Sequence, residues 1–377
     1  MRAATAWGRA WTFVLGAGMV ATSLWVGTRT GDALGANHWL FGVLVALTFT
    51  AGVLVLGRLF VLLYRDASDD APAPPPEPAV APSVPRLGTS GTVAVQAVAS
   101  LALVALTWSV LHYQPHVASW EAVDAYASDD VVDLERDEGH YVFVPREPGT
   151  DPAELVDRTV EGAPTPEQVA TTGLLFYPGE HVDARAFARM LRPVAEAGYV
   201  VAVVTPPLGD PSLDPDQGAG LLDDLGVERW VVGGTDVGGQ AAAELAAAHV
   251  GAGHVHGLLL LGSAPDVDLS DAPLAVLTLW GTQDGVVPPS RIASSRDVLP
   301  ASTTWARLPG VNHADFGDFG HAPGDERSTV DRDAAREQIQ ATVLGWLDQV
   351  AAGTLPPAPD DAGEPTASPT GAPSDDG

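Results

Sequence analysis

Three long apolar runs near the N-terminus restrict this chain to folds that can place helices in a membrane. The runs cover about residues 10–26, 39–64 and 93–113, and each approaches the ~20 residues that a helix needs to cross a bilayer. Arg2 and Arg9 precede the first run as in a signal peptide. No good small-x-small cleavage site follows and a second run comes at once, so we interpret the first run as an anchor. Three buried core helices are the alternative, which the uniform apolarity of the runs disfavours.

The distribution of arginine predicts how these spans are oriented. The arginines before the first run and around the linker after the second are Arg2, Arg9, Arg58, Arg65 and Arg86, whereas the loop between the first two runs holds Arg29. The cytoplasmic side of a membrane protein carries the excess of Lys and Arg. The N-terminus is therefore predicted to be cytoplasmic and everything after Tyr113 to lie outside. This predicts a multi-pass protein of the cell membrane, which contacts the lipid bilayer through its three N-terminal spans.

Two segments have compositions typical of disorder. Residues 66–91 are acidic and proline-rich and are predicted to form a cytoplasmic linker. Residues 354–377 form a polar tail with too little apolar mass to pack. The predicted organisation is a membrane anchor over 1–113, a folded domain over 114–353 and the tail.

Charge and composition exclude several classes of function. The net charge of −29, from 48 Asp and Glu against 19 Lys and Arg, argues against nucleic-acid binding, which needs basic patches. Because the chain has no cysteine, disulfides, thiol nucleophiles and thiolate metal ligands are excluded. All the basic residues are arginine, and Ala, Gly, Val and Pro are abundant, which indicates a GC-rich bacterial genome.

Short β-rich runs alternate with amphipathic helical patterns throughout the folded domain. Strands are predicted at 173–179, 200–206, 229–234, 257–263, 274–281 and in TTWARLPG, after a starter hairpin formed by DDVVDLE and HYVFVP. Helices are predicted at 183–199 with Asp183 as N-cap, at 240–251 closed by Gly251, and at 331–353. Strands that are apolar throughout and alternate with helices indicate an α/β fold with a mostly parallel sheet covered on both faces.

Three motifs in a fixed order give a specific resemblance. The run GLLFYPGEHVDARAFARMLRPVAEAGYVVAVVTPP (173–207) resembles the opening of bacterial α/β-hydrolases of the dienelactone-hydrolase-like type. LWGTQDGVVPPSRI (279–292) and LPGVNHADFGDFG (308–320) resemble their acid loop and histidine loop. The resemblance covers roughly residues 120–350. It implies a doubly wound α/β-hydrolase fold behind the three transmembrane helices, and a hydrolase that acts on a small-molecule substrate.

By this resemblance, Asp236, Asp284 and His313 form the catalytic site. Each follows a predicted strand, and active sites of open α/β sheets lie beyond the carboxyl ends of the strands. The resemblance implies that His313 is the general base and that Asp284 holds its imidazole in the right tautomer. The alternatives are a plain Asp-Gly turn at 284 and a surface-loop histidine at 313.

Two turns are expected to supply backbone N–H groups to a substrate oxygen. One group comes from Val237, and the other comes from Gly179 or Glu180 in the YPGEH turn, where glycine lets the backbone approach closely. The charge of Glu180 opposes an oxyanion unless its side chain points away. His254 and His256 in GHVHG form a possible metal pair, but such histidines at a strand entrance are more typical of a plain surface. No metal and no cofactor is predicted.

Asp236 stands where the family has a serine. It is the centre of VVGGTDVGG (231–239), whose spacing Gly234-x-Asp236-x-Gly238 is typical of a nucleophile elbow. In haloalkane dehalogenases and epoxide hydrolases an elbow aspartate attacks carbon, but those enzymes carry a helical cap, and SAPDVDLSDAP (263–273) is too short for one. The N-terminus of the following helix is expected to favour an ionised Asp236.

Three interpretations of this Asp-Asp-His site stay open at this point. They are a hydrolase with a carboxylate nucleophile, a hydrolase that acts through water and the His–Asp pair, and a catalytically inactive binding or sensing domain tethered to the membrane. The sequence identifies neither the substrate nor the oligomeric state.

Overall fold

The computed structural model describes residues 2–69, 89–146 and 163–354. The chain divides into two compact units, one of Met1–Gly35 with Trp39–Gln114 and one of Ala36–His38 with Pro115–Gly377. Of the predicted linker, residues 70–88 lie outside the described residues, and so do residues 355–377 of the predicted tail. The two ends of the predicted linker instead continue the neighbouring helices.

The first unit consists of three long helices, α1 (Arg2–Leu34), α2 (Trp39–Asp69) and α3 (Thr89–His112). Within them Ala6–Leu34, Trp39–Asp66 and Val93–His112 are long and apolar enough to cross a membrane. The three apolar runs are therefore helical as predicted, and the first helix extends well beyond residues 10–26 at both ends.

Two glycines bring α1 and α2 close together. A Cβ on Gly16 would lie 2.9 Å from Cγ of Leu56, and one on Gly52 would lie 2.9 Å from Cβ of Met19. Small residues at such contacts let helices pack where lipid removes the hydrophobic drive for association. Large apolar side chains such as Phe60, which is 69 % exposed, remain on the outer surfaces, where they suit a lipid environment.

The second unit contains one eight-stranded sheet within the described residues. Its strands are β1 (Val132–Asp137), β2 (His140–Pro145), β3 (Thr172–Tyr177), β4 (Val200–Val204), β5 (Arg229–Thr235), β6 (Val255–Leu261), β7 (Ala275–Gly281) and β8 (Thr304–Leu308). Its helices are α4 (Trp120–Ala125), α5 (Pro166–Ala170), α6 (Ala188–Glu196), α7 (Leu221–Asp224), α8 (Val237–His249), α9 (Pro289–Ser294) and α10 (Arg332–Ala352).

The strand order is β1-β2-β4-β3-β5-β6-β7-β8. Pairing is antiparallel between β1 and β2 and between β2 and β4, and parallel from β4 through β3 to β8. The predicted starter hairpin and mostly parallel sheet are thus confirmed. Because β4, β3, β5, β6, β7 and β8 run parallel, their carboxyl ends lie on one edge of the sheet.

Hydrophobic layers cover both faces of the sheet, as expected for apolar strands in a parallel sheet. Alternate residues of β3 enter opposite layers, with Leu174 and Phe176 in one and Leu175 and Tyr177 in the other. The first layer includes the inner face of α10, formed by Ile339, Val343, Leu347 and Val350, none more than 5 % exposed. The second layer includes α8.

The end of α8 differs from the prediction. The helix stops at His249, and a 3₁₀ turn at Val250–Ala252 follows. Gly253, rather than Gly251, is the left-handed residue (φ 83°), and its N–H donates to the carbonyl of Val250. The tighter 3₁₀ turn moves the left-handed position two residues beyond Gly251, and glycine accepts that conformation without a Cβ penalty.

The predicted cap at Asp183 is present, and α10 is capped at both ends. Asp183 accepts a hydrogen bond from the N–H of Arg185 at 3.1 Å and caps a 3₁₀ turn, Ala184–Phe187, that leads into α6. Asp331 caps α10, and Gly353 ends it in the left-handed conformation (φ 68°).

Candidate active site

The three predicted site residues all follow strands at the carboxyl edge of the sheet. Asp236 directly follows β5, Asp284 lies three residues after β7, and His313 lies five residues after β8. These strands run parallel, so their carboxyl ends open on the same side. This edge is where open α/β sheets bind their ligands.

Asp236 occupies a sharp turn at the start of α8. Its backbone has φ 49° and ψ −122°, a conformation that costs a side-chain-bearing residue about 1–3 kcal/mol. A Cβ on Gly234 would lie 2.5 Å from the carbonyl oxygen of Tyr177, and one on Gly238 would lie 2.1 Å from that of Pro178. The two glycines are thus required because the end of β3 passes directly against the turn.

His313 and Asp284 form a buried pair. Nδ1 of His313 lies 2.9 Å from Oδ2 of Asp284, and the two residues are 5 % and 3 % exposed. Oδ1 of Asp284 accepts the N–H groups of Val286 at 3.0 Å and Val287 at 2.7 Å. With both carboxylate oxygens engaged, Asp284 orients the imidazole and leaves Nε2 as its acceptor nitrogen in the neutral form.

Opposing effects set the pKa of His313. Burial lowers it, but the hydrogen bond and charge of Asp284, with the charges of Asp236 and Asp325, outweigh burial and raise the pKa above its ordinary value. The pair therefore holds a basic imidazole within a largely water-excluded site.

The pKa of Asp236 is also raised, which corrects the expectation of a stabilised anion. Burial is the largest cause; the charge of His313 and the N–H of Val237 lower the pKa, and the charges of Glu180 and Asp284 raise it. The helix N-terminus acts in the expected direction through the Val237 N–H. Loss of hydration outweighs it, because burial removes more stabilisation from a carboxylate than one N–H returns.

Asp236 and His313 line one cavity of about 220 Å³. The other residues that line it are His116, Gly179, Glu180, His181, Val182, Thr235, Val286, Phe319, Ala322 and Pro323. Such a volume lies below the ~300–1,000 Å³ of common ligand pockets and admits a small molecule.

Of the three predicted oxyanion-hole residues, two line the cavity and Val237 does not. Gly179 and Glu180 line the cavity together with Asp236, while Val237 is the first residue of α8 and its N–H acts on the Asp236 carboxyl. The side chain of Glu180 is 41 % exposed and its Oε1 lies 3.8 Å from Nε2 of His181.

Thr235 adds a polar group that the sequence interpretation did not include. It is 2 % exposed and lines the cavity, and within the described part of the chain its Oγ1 has no hydrogen-bond partner. Its position next to Asp236 was the only sequence signal available. A strand residue that faces a cavity cannot be told from a core residue without the tertiary structure.

His254 and His256 show ordinary surface contacts. Nδ1 of His256 lies 3.1 Å from the carbonyl oxygen of His254, and Nε2 of His254 lies 3.7 Å from Asp223. Across residues 2–69, 89–146 and 163–354, no group of three or more His, Asp or Glu side chains is placed to hold a metal ion.

Comparison with known families is consistent with this architecture. Residues 173–337 match the family model described as Alpha/beta hydrolase family, a segment that runs from β3 into α10. No curated protein sequence matches the chain.

Several solved structures resemble the chain at low identity. A ferulic acid esterase from Streptomyces cinnamoneus is 19 % identical, covering 61 % of this chain and 89 % of its own, with a TM-score of 0.44. A Pyrobaculum calidifontis esterase is 15 % identical, covering 63 % and 90 %, with a TM-score of 0.40. A putative hydrolase from Agrobacterium vitis S4 is 12 % identical, covering 57 % and 99 %, with a TM-score of 0.40. Values this low assign no substrate.

Proposed function

The domain that follows the apolar helices has the α/β-hydrolase fold, and from this premise we propose that it hydrolyses ester-like or related small substrates at Asp236, Asp284 and His313. The observation that carries the proposal is the buried His313–Asp284 pair, with Nδ1 and Oδ2 2.9 Å apart. Within this pair, His313 lines the cavity that Asp236 also lines. An oriented imidazole beside a carboxylate at a turn is the arrangement of nucleophile and base that hydrolysis requires.

We propose that Asp236 is the nucleophile at a nucleophile elbow. An ionised oxygen of Asp236 attacks a saturated carbon of the substrate, the one that bears the ester oxygen, the epoxide oxygen or the halogen. The bond from that carbon to the oxygen or halogen breaks with its electron pair going to the leaving group, and an alkyl ester forms on Asp236. Nε2 of His313 then takes a proton from water, and the water oxygen attacks the carbonyl carbon of that ester. His313 returns that proton to the departing oxygen, so the substrate leaves as an alcohol. The remaining water proton passes to solvent, and the Asp236 carboxylate is regenerated.

Groups around the cavity support binding of a substrate oxygen. Gly179 and Glu180 contribute backbone from the turn after β3, and Thr235 contributes a buried hydroxyl. A hydroxyl without a partner in a buried site can donate to a ligand at little cost, because it gives up no existing hydrogen bond.

A catalytically inactive binding or sensing domain is the second candidate function. The pKa of Asp236, raised mainly by burial, reduces the fraction of ionised nucleophile at a given pH. The connection between β6 and β7, residues 262–274, contains no helix, so the cap found in carboxylate-nucleophile relatives is not present there.

Trapping the covalent ester tests the proposal directly. The full chain in detergent is incubated with esters, lactones, epoxides and haloalkanes, and the peptide that contains Asp236 is weighed by mass spectrometry. His313→Ala should accumulate substrate mass on that peptide, because the second step lacks its base. The double variant Asp236→Asn with His313→Ala is the control and should stay unmodified.

Two outcomes contradict parts of the proposal. Turnover that survives Asp236→Ala unchanged excludes the nucleophile and favours direct attack by water through the His–Asp pair. No turnover and no adduct with any substrate class favours the binding domain.

We further propose that the three apolar helices anchor this domain in the cell membrane and leave it outside the cytoplasm. Their length and composition support the first point, and the arginine distribution supports the second.

A further inference from the structure

The chain between His313 and α10 returns to contact both loops of the candidate site. The carboxylate of Asp325 accepts four backbone N–H groups. Its Oδ1 accepts those of Gly285 at 3.1 Å, His313 at 3.2 Å and Glu326 at 3.0 Å, and its Oδ2 accepts that of Ala314 at 3.0 Å. One side chain thus joins the loop after β7 to the loop after β8.

Close packing around Asp325 reinforces this link. A Cβ on Gly285 would lie 2.5 Å from the carbonyl oxygen of Gly324, so the loop after β7 touches the returning segment with no room for a side chain. On the other side, Nδ2 of Asn312 donates to the carbonyl of Glu326 at 2.7 Å. The segment Gly324–Glu326 is therefore held between the two loops.

We propose that Asp325 is a positioning residue that keeps His313 and Asp284 in register by binding the backbone of both of their loops. Gly285 directly follows Asp284, so the two N–H groups of Gly285 and His313 on one oxygen set the separation of the two catalytic side chains. The expected effect of Asp325 on kcat rests on the function proposed above, whereas its expected effect on the pKa of His313 does not.

The charge of Asp325 acts on the pKa of His313, which a contact that only holds the loops together would not change. The described groups that act electrostatically on His313 are Asp284, Asp236 and Asp325, and all three raise its pKa against the effect of burial. Removal of the Asp325 charge should therefore lower the pKa of His313, even where the fold is retained.

The test compares Asp325→Asn and Asp325→Ala with Asp331→Ala in the full chain. Asp331 is a matched control because it is also an aspartate that accepts two backbone N–H groups, those of Asp333 at 3.0 Å and Ala334 at 3.3 Å, where it caps α10. It does not line the cavity, and its charge is not among those that act on the pKa of His313. The protein is labelled with ¹⁵N at histidine and titrated by NMR in detergent micelles. The His313 signal is identified by its loss in His313→Ala.

Asp325→Asn should lower the pKa of His313 and shift the pH dependence of kcat to lower pH. It should also reduce kcat by up to about 10²-fold, the scale of a small misplacement of catalytic groups. Asp325→Ala should reduce kcat further, because it also removes the Oδ1 acceptor. Asp331→Ala should lower Tm but leave the His313 pKa and kcat unchanged.

Three results would overturn the inference. They are an unchanged His313 pKa in Asp325→Asn, an unchanged kcat in an active protein, and a pKa shift of equal size in Asp331→Ala. If the parent chain turns over no substrate, the proposed function fails while the titration still decides whether Asp325 acts on His313.

Discussion

At position 236, a carboxyl is buried in a turn whose first N–H only partly compensates for lost hydration. Its folded-state pKa lies above its unfolded value, so the folded state binds the proton more tightly. This contribution to stability is present at pH values below the unfolded pKa and is lost as pH rises through the folded pKa. At neutral pH the ionised side chain therefore destabilises the fold, as groups at functional sites often do.

Asp236→Asn is predicted to raise the free energy of unfolding at neutral pH, because the amide keeps the shape of the neutral acid without its charge. The gain should shrink as pH falls below about 4, where unfolded aspartate is protonated. Thermal unfolding of the full chain, followed by tryptophan fluorescence at several pH values, measures this. A variant that is less stable than the parent at pH 7 would show that the Asp236 charge is stabilised in the folded state.

Thr235 gives a second prediction, with a matched pair of variants. Thr235→Val replaces the buried, unpartnered hydroxyl by a methyl group of similar size and should raise stability by about 1–3 kcal/mol. This corresponds to a Tm increase of roughly 2–4 °C per kcal/mol for a domain of this size. Thr235→Ser keeps the hydroxyl and should not gain this stability. A loss of stability in Thr235→Val would mean that the hydroxyl has a partner in the folded protein.

The sequence could predict candidate site residues where their position after a strand indicates their role. Asp236, Asp284 and His313 are polar residues in turns that follow apolar strands, so their convergence depends only on parallel strand order. Asp325 lies 12 residues beyond His313 in a loop rich in Gly and Asp, where composition predicts only turns. Three of its four N–H partners, those of Gly285, His313 and Ala314, belong to two loops that only the tertiary structure brings to it.

At the scale of secondary-structure elements, the turn between β5 and α8 needs glycine at position 238, because the backbone at the end of β3 passes directly against it. Gly238→Ala is predicted to destabilise the domain by several kcal/mol, because its Cβ would lie 2.1 Å from the carbonyl oxygen of Pro178, which is backbone and cannot rotate away. Gly345→Ala in the middle of α10 is the control, since a Cβ there meets no atom within 4 Å.

The control should behave in the opposite way. Alanine exceeds glycine in helix propensity, so Gly345→Ala should stabilise by about 0.5–1 kcal/mol. Denaturant unfolding of both variants measures the difference. Equal stability of Gly238→Ala and the parent would mean that the β3 end and the turn are farther apart than the structure places them.

The hydrophobic periodicity of the sequence predicted which segments are helices and which are strands. It did not predict every position at which these elements end. The predicted helix over 331–353 agrees with α10, whose ends carry the usual cap residues, Asp331 at the start and Gly353 after the last turn. The end of α8 was misplaced because two glycines, Gly251 and Gly253, stand close together. The choice between them depends on whether the last turn tightens to 3₁₀, which local sequence does not encode.

At the scale of the whole molecule, the arginines of the helical unit concentrate at one of its two ends. Arg9 of α1 pairs with Asp66 of α2, so the start of α1 and the end of α2 lie at the same end of that unit. This end holds Arg2 and Arg9 of α1 and Arg65 of α2, and Arg58 precedes it in α2. Arg29 lies near the opposite end of α1. Acidic residues contribute little to orientation, so the pairing of Arg9 does not cancel its effect.

The resulting prediction is that this arginine-rich end faces the cytoplasm and that the domain with the α/β-hydrolase fold lies outside. Alkaline phosphatase, which is active only outside the cytoplasm, should be active when it is fused after Ala36 or after Gly353 and inactive when it is fused after Pro76. Adding three arginines between Gly35 and Trp39 should weaken or invert this pattern, because it removes the charge bias between the two sides. Activity after Pro76 together with inactivity after Gly353 in the parent chain would place the domain in the cytoplasm.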